Sequence, residues 1–562
     1  MDNTRRMKII GISFIAVVVI VFGGIAATRN IGKSEKQVTR EEASNKLEKM
    51  VKKISPRNGN VYKSSIEFDE ESNVADELPD IDTCEVMVHA NTELFAEIYS
   101  SPEKAGTGTD GWICDLAEEF NSKGFEINGK KISVQIRNVS SGAGKDYISS
   151  GKAVPDGFTP SSEFWIKMLN ADGIETETIS ESMVKNTAGI VLSNSAYKKI
   201  IDKYGTVDMK SITEATASGE ITMGYTNPFS STTGLNFLAC TLERYDSNNP
   251  LSDEAVAGFT SFQNNVPFVA LTTVQMRTAA DKGALDGFVM EYQLYLKDST
   301  LKSNYKFTPF GYRHDNPLVA ISSTSEDKIE VLKKFAEFCK TDAAIKLAKE
   351  DGFNEMDDYI CEYPELDGEM LTSMQSVYKN NKDLGQPVVC VFIADVSGSM
   401  SGEPLVALKN SLINSMKYIN NDNYIGLVSY SDDVTIETPI AKFNLEQQTL
   451  FKGSVEHLNA GGNTATFDAI CVGLHMINQK LAEVPEAKTM IFVLSDGETN
   501  SGYQLNNVQN VFEGMGVPIY TIGYNANIEA LAKISNINEA ASLNADTDDI
   551  VYQLKQLFNT SL

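Results

Sequence analysis

The sequence predicts two α/β domains in tandem behind one apolar N-terminal segment. Three observations indicate this class: an uncharged run over residues 9–27, and an alternation of apolar strands with amphipathic helices over residues 84–358 and again over 387–562. A chain of 562 residues is also too long for one hydrophobic core. The predicted parts are a membrane segment, a polar and acidic stalk, a first α/β domain, a linker and a second, doubly wound α/β domain, over residues 1–30, 31–83, 84–358, 359–386 and 387–562.

Charge and cysteine usage argue against three kinds of functional site. The formal net charge is -27, which argues against nucleic-acid binding because that function needs a basic surface to neutralise phosphates. The 7 cysteines are widely spaced and include no C-x-x-C pair, so neither a zinc site nor a thioredoxin-type site is expected. Their odd number leaves at least one thiol without an intrachain partner, and the sequence allows one or two disulfides without assigning them.

The N-terminus predicts a membrane anchor. Arg5, Arg6 and Lys8 precede the uncharged run over residues 9–27, which as a helix is about 28 Å long, enough to cross the hydrocarbon core. The alternative is a cleaved signal peptide, since Gly24-Ile25-Ala26 has a small-x-small pattern. We expect a retained, single-pass anchor in the cell membrane, with the bulk of the chain extracytoplasmic.

Between the anchor and the first domain the sequence is polar. A helical stretch over residues 41–54 precedes a dense run of Asp and Glu over residues 67–82, which is typical of a solvated stalk. The first domain then offers strand candidates that suit largely parallel sheets, at residues 84–88, 131–138, 189–192, 221–225, 268–271 and 318–321. Helices are predicted between them at residues 115–122, 195–204, 234–245, 253–265 and 325–351.

The second domain begins with a continuous apolar run over residues 388–394, which is typical of a central parallel strand buried on both faces. Further strands are predicted at residues 424–430, 489–494 and 519–522. Helices are predicted at residues 403–419, 465–479, 505–515 and 548–558.

Oxygen-bearing side chains follow the apolar strands of the second domain. Asp395, Ser397 and Ser399 leave the first strand at alternate positions, and Asp496 ends another apolar strand. Thr464 lies just after a Gly-Gly-Asn segment and just before a predicted helix. Because ligands of open α/β sheets collect at the carboxyl ends of strands, these side chains suit a hard divalent cation.

These three elements, in this order and at these separations, resemble the von Willebrand factor A family with a complete metal-ion-dependent adhesion site. The resemblance covers about residues 386–562 and implies a doubly wound, Rossmann-like fold that binds Mg²⁺ or Mn²⁺. It implies that Ser397 and Ser399 bind the metal directly, and Thr464 directly or through water. Asp395 and Asp496 would act largely through water, or directly in one state. One coordination position would stay open for a carboxylate of a protein partner.

Hydroxyl-rich loops that open predicted helices mark the first domain. Free backbone N–H groups at such loops suit an anion or a polar oxygen. The segments 139–145, 155–165, 227–234 and 284–292 together resemble the bacterial type 2 extracellular solute-binding proteins, which implies a bilobal fold. The candidate residues for a small solute, with a slight preference for an oxyanion, are Ser140, Ser141, Gly142, Ser162, Ser231, Thr232, Thr233 and Glu291. The alternative is that these residues only cap helices.

The functional expectation is a membrane-anchored binding or adhesion protein without catalysis. The metal of the second domain would hold a protein partner through an Asp or Glu carboxylate, and the first domain would bind a solute or serve as a scaffold. The alternative is a solute-binding component of a transport or sensing system. An enzyme is not expected, because the sequence shows no Ser-His-Asp or Cys-His grouping.

Overall fold

The computed structural model describes most of the chain after residue 38. The described residues are 39–65, 78, 80–107, 110–263, 266, 268–270, 285–356, 358–382, 387–416, 419–497, 499–524, 534 and 542–545. The predicted membrane segment over residues 1–30 therefore lies outside the described residues, and so does the predicted helix over residues 548–558. Within the described part, no helix is both long enough and apolar enough to cross a bilayer.

The described chain begins with helix α1 (Arg40–Ile54) and the short strand β1 (Arg57–Asn58). A capping box starts the helix: the Thr39 hydroxyl accepts a hydrogen bond from the Glu42 N–H at 3.3 Å, and Glu42 Oε2 accepts one from the Thr39 N–H at 3.2 Å. The apolar residues of α1 recur every four positions, so they share one face, and this face is buried through Ala43, Leu47 and Val51.

The middle domain contains strands β2 to β13. Their bounds are β2 Val86–Val88, β3 Leu94–Ser100, β4 Glu126–Ile127, β5 Lys130–Asn138, β6 Gly157–Thr159, β7 Thr176–Ser180, β8 Asn186–Ser193, β9 Met223–Thr226, β10 Phe268–Ala270, β11 Gly287–Glu291, β12 Tyr305–His314 and β13 Leu318–Ile321. Its helices are α2 Pro102–Ala105, α3 Trp112–Lys123, α4 Ser141–Ser150, α5 Phe164–Ala171, α6 Asn194–Tyr204, α7 Met209–Ala217, α8 Thr232–Tyr245, α9 Asp253–Gln263, α10 Tyr292–Lys297, α11 Ser299–Asn304, α12 Glu326–Phe338, α13 Asp342–Glu350 and α14 Gly368–Asn381.

These strands form two sheets, each the centre of one lobe. The first lobe has the order β2-β5-β3-β6-β13-β7, with β4 beside β5, and the second has the order β10-β9-β11-β8-β12. The chain crosses between the lobes after β7 and returns after β12. The prediction of two lobes is confirmed, but the sheets are mixed rather than largely parallel, because β8 pairs antiparallel with both β11 and β12, and β13 pairs antiparallel with β6 and β7.

The structure departs from the predicted linker over residues 359–386. Half of that segment is helix α14, which packs on α5 and α8 and buries Leu371, Met374 and Tyr378 in the core of the middle domain. At the start of α14 a Cβ on Gly368 would lie 2.1 Å from the Lys167 carbonyl oxygen. The middle domain therefore continues to residue 381, and it also begins earlier than residue 84, since Leu78 is buried in the same core.

The C-terminal domain is a doubly wound sheet. Its elements are β14 Val388–Asp395, α15 Glu403–Ser415, β15 Tyr424–Tyr430, β16 Val434–Lys442, α16 Leu445–Glu456, α17 Thr466–Lys480, β17 Lys488–Ser495, α18 Leu505–Met515, β18 Ile519–Tyr524 and β19 Ser542–Ala545. The strand order is β1-β16-β15-β14-β17-β18-β19, and only the β15–β16 pair is antiparallel. Successive side chains of β14 enter the cores on opposite faces, which explains its unbroken apolar sequence.

The structure also departs from the prediction of a solvated stalk over residues 31–83. Residues 39–65, which we call the strap, pack on the C-terminal domain. Helix α1 shares an apolar core with α17 and α18, and β1 pairs in parallel with β16. The Tyr62 ring then stacks on His457 with 3.8 Å between ring centroids. The polar composition of the strap did not indicate that it packs on the C-terminal domain, because a packed helix needs apolar residues on one face only.

This packing predicts that the strap stabilises the C-terminal domain. Leu47→Ala should cost about 2–5 kcal/mol, because it leaves a cavity in the shared core. Hydrogen exchange in β14 and β16 should accelerate, measured by mass spectrometry in urea. The control is Lys49→Ala on the exposed face of the same helix, which should change stability by less than about 0.5 kcal/mol. Equal exchange in the two variants would contradict a stabilising strap.

Candidate functional site

The buried carboxylate of Asp395 organises the carboxyl edge of the C-terminal sheet. Its Oδ1 accepts a hydrogen bond from the Ser397 N–H at 2.8 Å. Its Oδ2 accepts one from the Ser495 hydroxyl at 2.6 Å and one from the Tyr430 hydroxyl at 3.1 Å. Since Tyr430 ends β15 and Ser495 ends β17, one carboxylate joins the ends of three neighbouring strands. Burial raises the pKa of Asp395, and the hydrogen bonds from Ser495 and Ser397 oppose this rise.

Four of the five predicted metal ligands form one connected group. The hydroxyl oxygens of Ser397 and Ser399 lie 3.1 Å apart, and the Ser399 hydroxyl donates to Asp496 Oδ1 at 3.1 Å. Ser399 belongs to a short 3-10 turn, Gly398–Met400, directly after the strand. The structure thus brings Asp395, Ser397, Ser399 and Asp496 together at the edge where the sequence predicted them.

The loop that carries Thr464 docks on the same segment. The Gly398 N–H donates to the Gly462 carbonyl at 3.0 Å, and the Gly461 N–H donates to the Val396 carbonyl at 2.8 Å. Gly462 has φ +88°, and a Cβ there would lie 2.4 Å from a carboxylate oxygen of Asp432, so a glycine is required. Two backbone bonds therefore hold the Thr464 loop against the segment that carries Ser397.

Asn500, which was not predicted from the sequence, holds this loop from its other side. The Thr464 N–H donates to Asn500 Oδ1 at 2.8 Å, and the Asn500 N–H returns a bond to the Thr464 carbonyl at 3.0 Å. Asn500 follows Asp496 by four positions in an irregular loop, so no periodic pattern marked it.

The oxygen donors at this edge fit a hard divalent cation. They comprise two carboxylates and three hydroxyls, and such ligands suit Mg²⁺ or Mn²⁺. Within the described residues, the carboxylates of Asp395 and Asp496 have no lysine or arginine nitrogen within 4.0 Å, so no side-chain cation balances them. Among the described residues, no group of three or more His, Cys, Asp or Glu side chains is arranged to hold a metal ion, and the present site has only two carboxylates.

A small cavity lies between the two lobes of the middle domain. It measures about 30 Å³ and is lined by Ser101, Pro102, Glu103, Ser140, Ser141, Ser161, Ser230, Ser231, Thr232 and Glu291. The lobes touch beside it: Trp165 Nε1 donates to the Thr232 hydroxyl at 2.7 Å, and the Gly142 N–H donates to the Ser230 carbonyl at 3.3 Å. The two lobes are therefore in direct contact beside the cavity, as in a closed form.

The structure places the eight predicted ligand-binding residues at or next to this cavity in different ways. Those that line it are Ser140, Ser141, Ser231, Thr232 and Glu291. Gly142 makes the contact between the lobes, and the Thr233 hydroxyl donates to the Glu291 carboxylate. Ser162 accepts a bond from the Phe164 N–H at 3.3 Å and does not line the cavity, so its observed role is local.

A buried ion pair at the cavity was not predicted from the sequence. Glu103 Oε1 accepts bonds from the hydroxyls of Ser101 at 2.5 Å and Ser161 at 2.7 Å, and it lies 3.6 Å from Lys104 Nζ. Burial raises the pKa of Glu103, but Lys104 and the two hydroxyls outweigh it, so this pKa lies below its usual value. Burial lowers the pKa of Lys104 to about 8. The available signal was Ser101-Pro102, a helix start directly after strand β3.

Two family models match the chain, one for each domain. Residues 390–560 match the von Willebrand factor type A domain, and residues 105–354 match the bacterial extracellular solute-binding protein model. The chain joins a solute-binding domain to a von Willebrand factor type A domain. This confirms both families suggested by the motifs. The strap packs on the A-type domain but lies outside the residues that its family model matches.

Curated relatives share part of the chain. Inter-alpha-trypsin inhibitor heavy chain H3 of Bos taurus is 32% identical over 159 residues, which is 26% of this chain and 17% of that protein. The voltage-dependent calcium channel subunit alpha-2/delta-2 of Homo sapiens is 26% identical over 139 residues, or 24% of this chain and 12% of that protein. The chain thus spans less than a fifth of the length of these relatives.

Solved structures resemble each domain. The sulfate-binding protein SubI of Mycobacterium tuberculosis H37Rv has 15% identity and a TM-score of 0.34, covering 47% of this chain and 88% of that one. A von Willebrand factor type A protein from Catenulispora acidiphila has 17% identity and a TM-score of 0.29, covering 31% of this chain and 42% of that one.

The close approach at Gly142 predicts a variant that cannot close. A Cβ at this position would lie 1.9 Å from the Phe229 carbonyl oxygen of the other lobe. Gly142→Ala should therefore hold the lobes apart, and small-angle X-ray scattering should show a larger radius of gyration than for the wild type. Gly461→Ala is the matched control, because a Cβ there meets nothing within 4 Å. Identical scattering from both variants would contradict this prediction.

Proposed function

We propose that the protein is a membrane-anchored, extracytoplasmic binding protein whose A-type domain uses Mg²⁺ or Mn²⁺ to hold a carboxylate of a protein partner. The observation that carries the proposal is the convergence of Ser397, Ser399 and Asp496 beside the docked Thr464 loop. The metal, when bound, would supply an electrophilic coordination position for the partner carboxylate. Ser397, Ser399 and Thr464 would provide neutral oxygens, which leave much of the metal charge for the partner.

Asp395 has a different part in this proposal. Both of its oxygens already accept hydrogen bonds from protein groups, and its side chain is buried. This supports a role through water and through its charge rather than as an exposed ligand. Asp496 is half-buried and accepts a hydrogen bond from Ser399, so its carboxylate is better placed to bind the cation, directly or through water.

In the same proposal the middle domain binds a small solute between its lobes. The cavity between the touching lobes, with polar side chains from both of them, supports this function over a scaffold. In this proposal the protein acts by binding, without catalysis.

The second candidate is a solute-binding component of a transport or sensing system, in which the A-type domain docks a neighbouring complex. The observation that favours it is the closed cleft itself, since closure around a solute is the event that such systems read. The two candidates share both sites and differ in which of them is primary.

The metal site predicts a specific loss of Mg²⁺ binding. Asp496→Asn keeps the side-chain volume and removes one charge, so Mg²⁺ affinity of the full chain should fall by about 10–100-fold in isothermal titration. Ser397→Ala removes a neutral oxygen and should cost less. Ca²⁺ should substitute poorly, because it prefers more oxygen ligands than this site offers.

The control for this titration is Asp422→Asn. Asp422 is an exposed carboxylate that pairs with Lys442, and it lies just before β15, at the opposite end of that strand from Tyr430 and the metal edge. It should bind Mg²⁺ as the wild type does. The metal proposal would be wrong if the wild type bound no Mg²⁺, or if Asp496→Asn bound it unchanged.

The anchor proposal has its own test. Because residues 9–27 can span a bilayer, the full chain should stay in the membrane fraction after a carbonate wash. Mass spectrometry should find residues 1–30 in the membrane-bound protein. A secreted form that begins near Ala27 would show that the segment is a cleaved signal peptide.

A further inference from the structure

A second cavity lies where the strap crosses the C-terminal domain. It measures about 370 Å³, which is within the range of sites for small organic molecules. Its lining comes from residues 57–60 and 62 of the strap, from strands β15 and β16, from residues 457–459 and from Val396. Val396 lies between two predicted metal ligands in sequence, but none of the five predicted ligands lines this cavity. The cavity is therefore next to the metal edge and distinct from it.

The cavity has a buried floor and an exposed rim. Val396, Ser429 and Leu458 are buried, whereas residues 57, 58 and 60 of the strap are exposed. The half-buried Tyr62 ring, stacked on His457, adds an aromatic surface. A ligand can therefore enter from solvent past the strap and place its apolar part against side chains that are already removed from water.

The Glu437 carboxylate in this cavity has no cation to balance it. Its Oε1 accepts a hydrogen bond from the Ser429 hydroxyl at 2.6 Å. Within the described part of the chain, no lysine or arginine nitrogen lies within 4.0 Å of this carboxylate. Burial raises the pKa of Glu437, and the hydrogen bond from Ser429 opposes this rise. A negative group that is partly removed from water and unpaired favours a ligand that brings a positive charge.

The strap passes directly over this carboxylate and leaves its second oxygen without a partner. The Gly59 N–H donates to the Ile436 carbonyl at 2.8 Å, so the strap runs alongside β16 at the level of Glu437. A Cβ on Gly59 would collide with Glu437 Oε2, so the glycine lets the strap pass without displacing the carboxylate. Among the described residues, no group donates a hydrogen bond to Oε2, which is thus left for a ligand.

The other charged group of the lining does not favour an anion. Arg57 already pairs with Asp433, with 2.7 Å between Nη2 and Oδ2, and its side chain is 69% exposed. The Asn459 side chain donates through Nδ2 to the His457 carbonyl at 2.7 Å, which leaves its Oδ1 as an acceptor. One unbalanced negative charge and an amide acceptor suit a cation that carries several N–H donors.

We propose that this cavity binds a small organic cation, of the amine or guanidinium type, with Glu437 as its counter-ion. The N–H groups of the cation donate to Glu437 Oε2, with Asn459 Oδ1 as a second acceptor. The apolar part of the ligand packs against Tyr62 and Leu458. This inference goes beyond the proposed function, because it requires neither the metal nor the cleft of the middle domain.

The test compares probes of similar shape that differ in charge. The full chain, in EDTA and free of metal, is titrated calorimetrically at pH 7 with benzylamine, benzamidine and benzyl alcohol. The two cations should bind at least about tenfold more tightly than the alcohol, because only they form a charged hydrogen bond with the carboxylate. Glu437→Gln keeps the side-chain volume and removes the charge, so it should abolish this preference. Glu446→Gln, an exposed carboxylate outside the cavity lining, is the matched control and should bind as the wild type does.

Hydrogen exchange measured by mass spectrometry locates the bound cation in the wild type, so the test holds even where Glu437→Gln fails to fold. Benzylamine should protect residues 57–60 and 435–437. Equal binding of the cations and the alcohol, or no binding of either cation, would overturn the ligand class. Protection confined to the cleft of the middle domain would overturn the location. Because these measurements are made without metal, none of these outcomes decides the Mg²⁺ proposal, which is tested by Asp496→Asn.

Discussion

The edge of the A-type sheet is completed by chain that precedes the solute-binding domain, and the architecture depends on this constraint. Strand β1 pairs with Thr435 and Ile436 of the edge strand β16, and without α1 the apolar face of α17 and α18 would be uncovered. The solute-binding domain is therefore an insertion, tied to the A-type domain at both of its ends. Cutting the chain near residue 386 would remove a structural part of the domain that remains.

At the metal edge, the main structural constraint is the burial of the Asp395 carboxylate. A carboxylate removed from water is costly unless hydrogen bonds or a cation compensate for the lost solvation. Three protein donors supply part of this compensation, and Tyr430 and Ser495 are positioned by the strands on either side of β14. Within the described residues, lysine and arginine contribute no direct partner. The edge thus has a rigid, hydrogen-bonded centre and a negative charge that a divalent cation would offset.

The sequence predicted what depends on local pattern. The apolar run before Asp395 marked a central strand, and strand β15 lies at the predicted bounds. Metal-edge residues were predictable because the carboxyl ends of parallel strands must meet at one edge. In the cleft, only the loops that precede helices could be predicted, since hydroxyl residues are favoured at helix starts in every part of a fold.

What the sequence did not predict depends on packing between distant segments. The helix in the strap was expected, but nothing in residues 40–54 identifies the partner of its apolar face. Helix α14 was missed although Leu371, Met374 and Tyr378 have helical spacing, because the polar residues around them suggested a linker. Glu103 was missed because a buried carboxylate is recognisable only with its cation and hydroxyl donors in place.

Helix α14 connects the solute-binding domain to the A-type domain. It contacts both lobes of the first domain and precedes β14 of the second. It packs on α5 of the first lobe and on α8 of the second, and Gln375 Nε2 donates to the Pro228 carbonyl at 2.8 Å, just before the hydroxyls that line the cleft. A packed helix moves as a unit, since interiors are too dense to deform continuously. The carboxyl end of α14 lies seven positions before Val388, so the helix that contacts both lobes is also the last helix before the strand that ends at Asp395.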